Sequence, residues 1–367
     1  MEQTLSSQKR IGYMDLVRVI ACFMVMMIHV RFAFDLKTET ATQFYVAFLR
    51  PCVPFFIMIS GALLLPLKND SYTFFKKRFS RVLIPFLFWS VVYVFLPAPT
   101  KINFGGIENA LTTSDLSPIV KSLLMIPINF TWVNVHFWFM YTILGLYLFM
   151  PVISPWIEKT SKRGVEAFLC VWGFTTILFY AEIWFPEMLG VCDWNEFGMF
   201  YNFGGYLGYL ILGYYLRRYN TLSRMLSISI GLILFSVGGY FTLKGLLYSL
   251  EHADKMYWIA VESQKVEFFI NNLSINVVMM TAGLFMVLQK ISIGGIPAKI
   301  VQELSKYSYG IFLVHYFINI WLLSLVGQWD GLNAWIGQPL FAVIVFVASY
   351  LFVKALSFIP NSKYLLG

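Results

Sequence analysis

The sequence predicts an all-α polytopic membrane protein, a bundle of about ten transmembrane helices with both termini in the cytoplasm. Of its 367 residues, 59% are hydrophobic and only 13% are charged, whereas soluble domains carry about 25% charged residues. Its apolar runs are close to the roughly 20 residues that a helix needs to cross a bilayer. We therefore expect a single membrane domain over residues 1–367.

Ten apolar runs are predicted to be membrane spans, because each is near the roughly 20 residues that a helix needs to cross. They cover approximately residues 12–33, 44–66, 82–97, 135–157, 165–185, 198–216, 225–249, 266–290, 305–326 and 336–358. A shorter apolar piece, 119–131, contains Pro127 and is predicted to be interfacial or re-entrant. It belongs to the longest outside loop, about 98–134, which is a candidate lid over an outward-facing cavity.

The distribution of Lys and Arg predicts the orientation. With a cytoplasmic N-terminus, the inside segments hold eighteen of the 27 basic residues and the outside segments hold five. The remaining four, Arg18, Arg31, Arg50 and Lys244, lie in or beside spans. Such an excess is typical of cytoplasmic loops, so an even number of spans is expected. The same rule explains the net charge of +8 without a nucleic-acid partner.

The four cysteines show no paired spacing, and three of them lie inside apolar runs. This pattern indicates neither a disulfide framework nor a metal site.

The first predicted span carries three ionisable residues on one face. Arg18 and His29 are eleven positions apart, so they fall within about 20° of each other around a helix, and Asp15 lies one turn from Arg18. Each such group costs roughly 2.5 kcal/mol or more in lipid unless it faces protein or water. The stripe is therefore predicted to line an interior cavity. The alternative is an ion pair at the cytoplasmic end and a His29 that reaches the interface.

Two further histidines fall in spans. His136 begins the fourth span, and His315 lies in the middle of the ninth. Because an imidazole titrates near neutrality, each could accept a proton from a hydroxyl. The alternatives are an interhelical hydrogen bond for His315 and, for His136, an interfacial position beside Trp138.

Arg78 and Arg81 lead into the third span one helical turn apart, a spacing that suits a diphosphate. Positive-inside topology and contact with anionic lipids explain the same pair. Ser60, in the second span, precedes Gly61 and could simply permit close helix packing. Glu182, near the outer end of the fifth span, could be a buried carboxylate or an interfacial residue.

These pieces resemble the acyltransferase-3 family of membrane acyltransferases, in its surface-polysaccharide O-acetyltransferase branch. The family begins with an Asp-x-x-Arg helix in which ten residues separate the Arg from a His, matched by Asp15, Arg18 and His29. The other matching motifs, in chain order, are VPFFIMISGALLL (53–65), Arg78-x-x-Arg81, HFWFMYTILGLYLFMPVI (136–153), SYGIFLVHYFI (308–318) and KYLLG (363–367).

The resemblance implies acetyl-CoA as the donor and a hydroxyl of a surface or lipid-linked glycan as the acceptor, in the bacterial cytoplasmic (inner) membrane. On this hypothesis His29 is the general base, or the nucleophile of a ping-pong variant, and Asp15 orients Arg18. The donor would be held by Arg18, Arg78 and Arg81. A substrate cavity would be lined by His136, His315, Ser60 and Trp138. Membrane lipids and a second copy of the chain are further expected partners.

A transporter or glycan flippase is the alternative of a different class, because a polar stripe through the membrane can also be a translocation path. Such a protein would neither hydrolyse acetyl-CoA nor transfer its acetyl group.

Overall fold

A computed structural model describes residues 12–96, 117–130, 132–181, 183, 185, 197–256, 262–326 and 332–367. The structure is 82% helical, and the described residues contain no strand. The prediction of an all-α protein is confirmed.

The described α-helices are numbered in chain order. They are α1 (Gly12–His29), α2 (Thr40–Phe48), α3 (Cys52–Leu64), α4 (Ser71–Arg78), α5 (Ile84–Phe95), α6 (Ser117–Met125), α7 (Trp138–Lys159), α8 (Lys162–Ala181), α9 (Leu207–Tyr219), α10 (Arg224–Glu251), α11 (Glu262–Glu267), α12 (Ile275–Gln289), α13 (Gly295–Val326), α14 (Ala334–Leu356) and α15 (Lys363–Leu366).

Within the described ranges, eight helical stretches are long and apolar enough to cross a membrane. They are Gly12–His29, Thr40–Leu64, Ser71–Phe95, Asn134–Lys159, Arg224–Glu251, Lys265–Gln289, Gly295–Leu325 and Ala334–Leu356. The predicted spans 165–185 and 198–216 correspond to α8 and to a short 3₁₀ helix followed by α9. The 13 residues of α9 reach only about 20 Å. The count of ten spans and the cytoplasmic termini stay predictions.

The predicted second span is not one continuous helix. α2 ends at Phe48 and α3 begins at Cys52, with a turn over residues 49–51 between them. Pro51 explains the break, because proline lacks a backbone N–H and disfavours helical geometry in the residue before it, Arg50. The expectation of a single helix over 44–66 is wrong at this point.

The third span changes its hydrogen-bond register next to the predicted Arg pair. Asp70 caps α4 by accepting a hydrogen bond from Thr73 N at 3.0 Å. One turn of π helix, Phe79–Leu83, then joins α4 to α5. Pro85 has no N–H to donate to the carbonyl of Arg81, which is the kind of disturbance that accompanies a π turn.

Helix α1 occupies the middle of the described bundle, where it packs against α3, α12, α13 and α14. Two glycines bring α3 and α9 into backbone contact. A Cβ atom on Gly61 would collide with the carbonyl of Leu210, and one on Gly213 would collide with the carbonyl of Met58. Such close packing of small residues is typical of membrane helices.

The short apolar piece forms α6, a helix of nine residues, which is too short to cross a bilayer. Residues 98–116 and 131 of the predicted lid, together with Glu182, lie outside the described residues.

Candidate active site

The ionisable stripe on α1 faces protein, because its residues contact α13 one after another. Arg18 Nη1 donates a hydrogen bond to Ser305 Oγ at 2.9 Å. Cys22 Sγ lies 3.7 Å from the carbonyl oxygen of Ser308. His29 Nδ1 lies 2.7 Å from Nε2 of His315. The seam between α1 and α13 thus runs from Arg18 to His29, about 16 Å along the helix axis.

At one end of the seam, Asp15, Arg18 and Ser305 bind one another. Ser305 Oγ donates to Asp15 Oδ1 at 2.6 Å, and Arg18 Nη1 lies 3.3 Å from the same carboxylate oxygen. Asp15 is 5% exposed, whereas the side chain of Arg18 is 29% exposed. The buried carboxylate and hydroxyl therefore fix one edge of a guanidinium that remains accessible to a ligand.

At the other end, the hydrogen bonds assign the ring protons of the two histidines. His315 Nδ1 lies 2.6 Å from the carbonyl oxygen of Phe312, which can only accept, so this nitrogen carries the hydrogen. The Nε2 of a neutral His315 then accepts from Nδ1–H of His29. This leaves a lone pair on His29 Nε2, which makes no hydrogen bond with the described residues. His29 is thereby held in the tautomer that a general base requires.

A hydroxyl from α5 contacts two backbone groups of α13 on either side of His315. Tyr93 Oη donates to the carbonyl of Leu313 at 3.0 Å and accepts from the N–H of Phe317 at 3.1 Å. It thus stands between the two backbone groups that a regular α-helix would join, an insertion of the kind that bends helices. His315 lies between these two backbone groups in sequence, so Tyr93 supports the segment of α13 that carries it.

His136 completes a cluster of three histidines. Its ring stacks on Tyr316 at a centroid distance of 4.7 Å and lies 5.2 Å from His315 and 6.4 Å from His29. Although His136 is 2% exposed, neither ring nitrogen has a hydrogen-bond partner among the described residues. An unsatisfied buried imidazole is costly, so it marks a position where a polar ligand could bind.

A cavity of about 270 Å³ lies at the Arg18 end of the seam. Arg18, Arg78 and Arg81 all line it, and so does Ser60. The structure therefore brings Arg18 together with the predicted pair Arg78 and Arg81, which lies far from it in sequence. The Ser60 hydroxyl donates to the carbonyl of Phe56 at 2.9 Å and lies 3.3 Å from the Tyr147 hydroxyl.

Three phenylalanines separate this cavity from the histidines. Phe56, Phe139 and Phe312 line the cavity, and their ring centroids lie 5.7 to 6.4 Å from one another. The Phe312 ring is also 5.6 Å from His315 and 6.0 Å from His136. No histidine is among the described residues that line the cavity. We call Phe56, Phe139 and Phe312 the aromatic partition.

Of the four residues predicted to line a substrate cavity, Ser60 alone lines this one among the described residues. His136 and His315 instead pack against Phe312, one member of the aromatic partition. The Trp138 ring packs 6.1 Å from Tyr206 and 6.2 Å from Phe139.

A second cavity of about 770 Å³ adjoins the first, and Leu63 lines both. Three cationic side chains line it, Lys68, Arg217 and Arg218, with Glu158 as the acidic one. Arg217 donates a hydrogen bond to the carbonyl of Ala62 at the end of α3. The two cavities together present six basic side chains.

Sequence reasoning missed Ser305 and Tyr93. Ser305 lies three residues before the SYGIFLVHYFI motif, and Tyr93 is one of 21 tyrosines in an aromatic-rich chain. Neither has a local pattern that could have identified it, because both act through partners more than 200 residues away.

The profile of the acyltransferase-3 family, described as an acyltransferase domain, matches residues 11–354. This range contains the seam, the aromatic partition and every residue that lines the second cavity. No curated protein and no solved structure matches the chain.

Proposed function

Because this chain belongs to the acyltransferase-3 family, we propose that it is a membrane O-acetyltransferase of the surface-polysaccharide branch. It moves an acetyl group from cytoplasmic acetyl-CoA to a hydroxyl of a surface or lipid-linked glycan, in the bacterial inner membrane. The observation that carries this proposal is the seam between α1 and α13, which joins an arginine-lined cavity to an oriented histidine pair.

The donor binds at the arginine end. A cavity of about 270 Å³ is smaller than the roughly 300–1,000 Å³ of pockets that bury drug-sized ligands, so it suits the pantetheine arm alone. Arg18, Arg78 and Arg81 bind the diphosphate at its mouth, since guanidinium forks match phosphate oxygens. The nucleotide and its 3′-phosphate occupy the second cavity beside Lys68, Arg217 and Arg218.

The acceptor hydroxyl reacts at the histidine end. His29 Nε2 takes its proton as the hydroxyl oxygen attacks the thioester carbonyl, and His315 Nε2 holds the Nδ1–H of the imidazolium that forms. Collapse of the tetrahedral intermediate breaks the carbon–sulfur bond. The CoA thiolate leaves with the proton returned from His29, so the products are the acetyl ester and CoA.

The aromatic partition must move for this reaction, because it stands between the arm and His29. The motion required is a change of side-chain rotamer at Phe312 or Phe139. Such changes occur within nanoseconds for exposed side chains and more slowly in packed interiors. The closed partition keeps water away from the thioester when no acceptor is bound.

The proposal is tested with purified protein, acetyl-CoA and a thiol-reactive chromogenic reagent. His29→Ala should abolish acceptor-dependent thiol release, and the matched control His252→Ala should retain it, since His252 stacks on Tyr248 outside the seam. Retained release by a folded His29→Ala protein would remove His29 from this role. A wild-type protein that releases no thiol with any glycan would favour the transporter or flippase.

A further inference from the structure

Two partly buried arginines near His29 have no part in the mechanism above. Arg31 lies in the 3₁₀ turn Val30–Ala33, directly after α1. Arg50 lies in the break between α2 and α3, within the span Thr40–Leu64. An arginine inside a membrane span is costly unless it faces protein, water or a ligand.

Most donors of the Arg50 guanidinium have no hydrogen-bond partner in the part of the chain that the structure describes. Arg50 Nε donates to the carbonyl of Val46 at 3.1 Å, and its terminal amino groups make no hydrogen bond with the described residues. Arg50 is only partly buried, so its side chain is not enclosed by protein. The fork is thus open to a planar anion, for which its geometry is suited.

The backbone at Arg50 supports the same conclusion. A break in a helix at membrane depth leaves N–H and C=O groups without helical partners. Such a break is tolerated where it is covered by protein or lines a polar cavity. At the break over residues 49–51, Leu49 N donates to the carbonyl of Tyr45 and Arg50 Nε donates to that of Val46, which leaves the terminal amino groups of Arg50 for a ligand.

Among the described residues, Arg50 has one basic and one acidic electrostatic neighbour, Arg31 and Glu267. Arg31 and Arg50 lie within electrostatic reach of each other and of His29. Glu267 lies within electrostatic reach of both arginines, but it is exposed, so solvent screens its charge. An anion bound to the terminal amino groups of Arg50 would therefore be stabilised by the positive charge of its guanidinium.

We propose that Arg50, assisted by Arg31, binds an oxyanion carried by the acceptor, either a sugar carboxylate or a phosphate of a lipid carrier. The anion anchors the saccharide so that its hydroxyl reaches His29 Nε2. The anchor is specific for anionic acceptors, because a neutral glycan leaves the fork unpaired. This inference rests on the proposed function, for which it names the class of acceptor.

Binding is measured first, because it does not depend on catalysis. The probes are a hexuronate tetrasaccharide against a neutral glucose tetrasaccharide, and a polyprenyl phosphate against the free polyprenol. Wild-type protein should bind at least one anionic probe about 10- to 100-fold more tightly than its neutral partner, as expected for charge-assisted hydrogen bonds. The anionic probe that is preferred identifies the source of the anion.

Variants then assign the preference to the arginine. Arg50→Gln should reduce it to about twofold or less, and Arg50→Lys should retain part of it, because lysine keeps the charge but not the fork. Glu267→Gln should change affinity in the opposite direction and bind the anionic probe more tightly. Arg224→Gln, at an exposed position that begins α10, is the matched control.

Equal binding of anionic and neutral probes by the wild type would overturn the inference. So would an unchanged preference in an Arg50→Gln protein whose thermal unfolding matches the wild type. Failure of the proposed function is a separate result: no acceptor supports thiol release from acetyl-CoA, whatever the probes show.

Discussion

Replacing His315 tests the link between the histidine pair and catalysis. His315→Leu removes the acceptor that lies 2.7 Å from His29 Nδ1, while roughly conserving side-chain volume. The Nδ1–H of His29 is then unpaired, which costs about 1–3 kcal/mol for a buried donor. The ring escapes this cost by turning or by moving its hydrogen to Nε2, and either change removes the base.

The size of the effect follows from the role of the base. General base catalysis contributes about 10²- to 10⁴-fold, which corresponds to about 2.7–5.4 kcal/mol of transition-state stabilisation at 1.36 kcal/mol per tenfold change. The kcat for acetyl transfer should fall by that factor. The KM for acetyl-CoA should change little, because the arginines lie on the other side of the aromatic partition. Thiol release at varied acetyl-CoA concentrations measures both.

A conservative variant separates this role from packing. His315→Gln keeps an oxygen that can accept from His29 Nδ1–H, so its kcat should exceed that of His315→Leu by about tenfold or more. Equal losses in two folded variants would show that His315 acts through shape alone. A folded His315→Leu protein within threefold of the wild-type kcat would refute the tautomer argument.

Three further predictions concern the donor site, α13 and the helix packing. Arg78→Gln should raise the KM for acetyl-CoA about tenfold, through loss of a charge-assisted hydrogen bond. The control Lys77→Gln should leave this KM unchanged in steady-state kinetics, because Lys77 is exposed and is not among the described residues that line the cavity. Tyr93→Phe should lower the free energy of unfolding by about 1–3 kcal/mol, since two backbone groups of α13 lose their partner. It should also lower kcat by reorienting His315, and an unchanged kcat would show that the Tyr93 contacts have no part in catalysis. Gly213→Ala should lower the thermal unfolding midpoint, because its Cβ meets the backbone of α3 and overpacking costs about 1–3 kcal/mol. The control Gly145→Ala, with open space around it, should leave the midpoint unchanged, and similar midpoints for both variants would contradict the packing argument.

The sequence by itself determined those features that depend on local periodicity. Apolar runs of spanning length identify a helical membrane protein, and the 3.6-residue repeat places Asp15, Arg18 and His29 on one face. The cost of charge in lipid then requires that face to meet protein or water, and contact with α13 confirms this. Pro51 is a local signal for the helix break, because proline disfavours helical geometry in the residue before it.

The tertiary structure alone decided which groups those residues meet. Ser305 and His315 lie more than 280 residues from their partners on α1, and no pattern within a helix specifies which neighbour packs against it. The aromatic partition is likewise assembled from three helices, α3, α7 and α13. Side chains separated this widely are brought into register by helix packing, because the backbone hydrogen bonds that shape each helix are satisfied within it and carry no information about its neighbours.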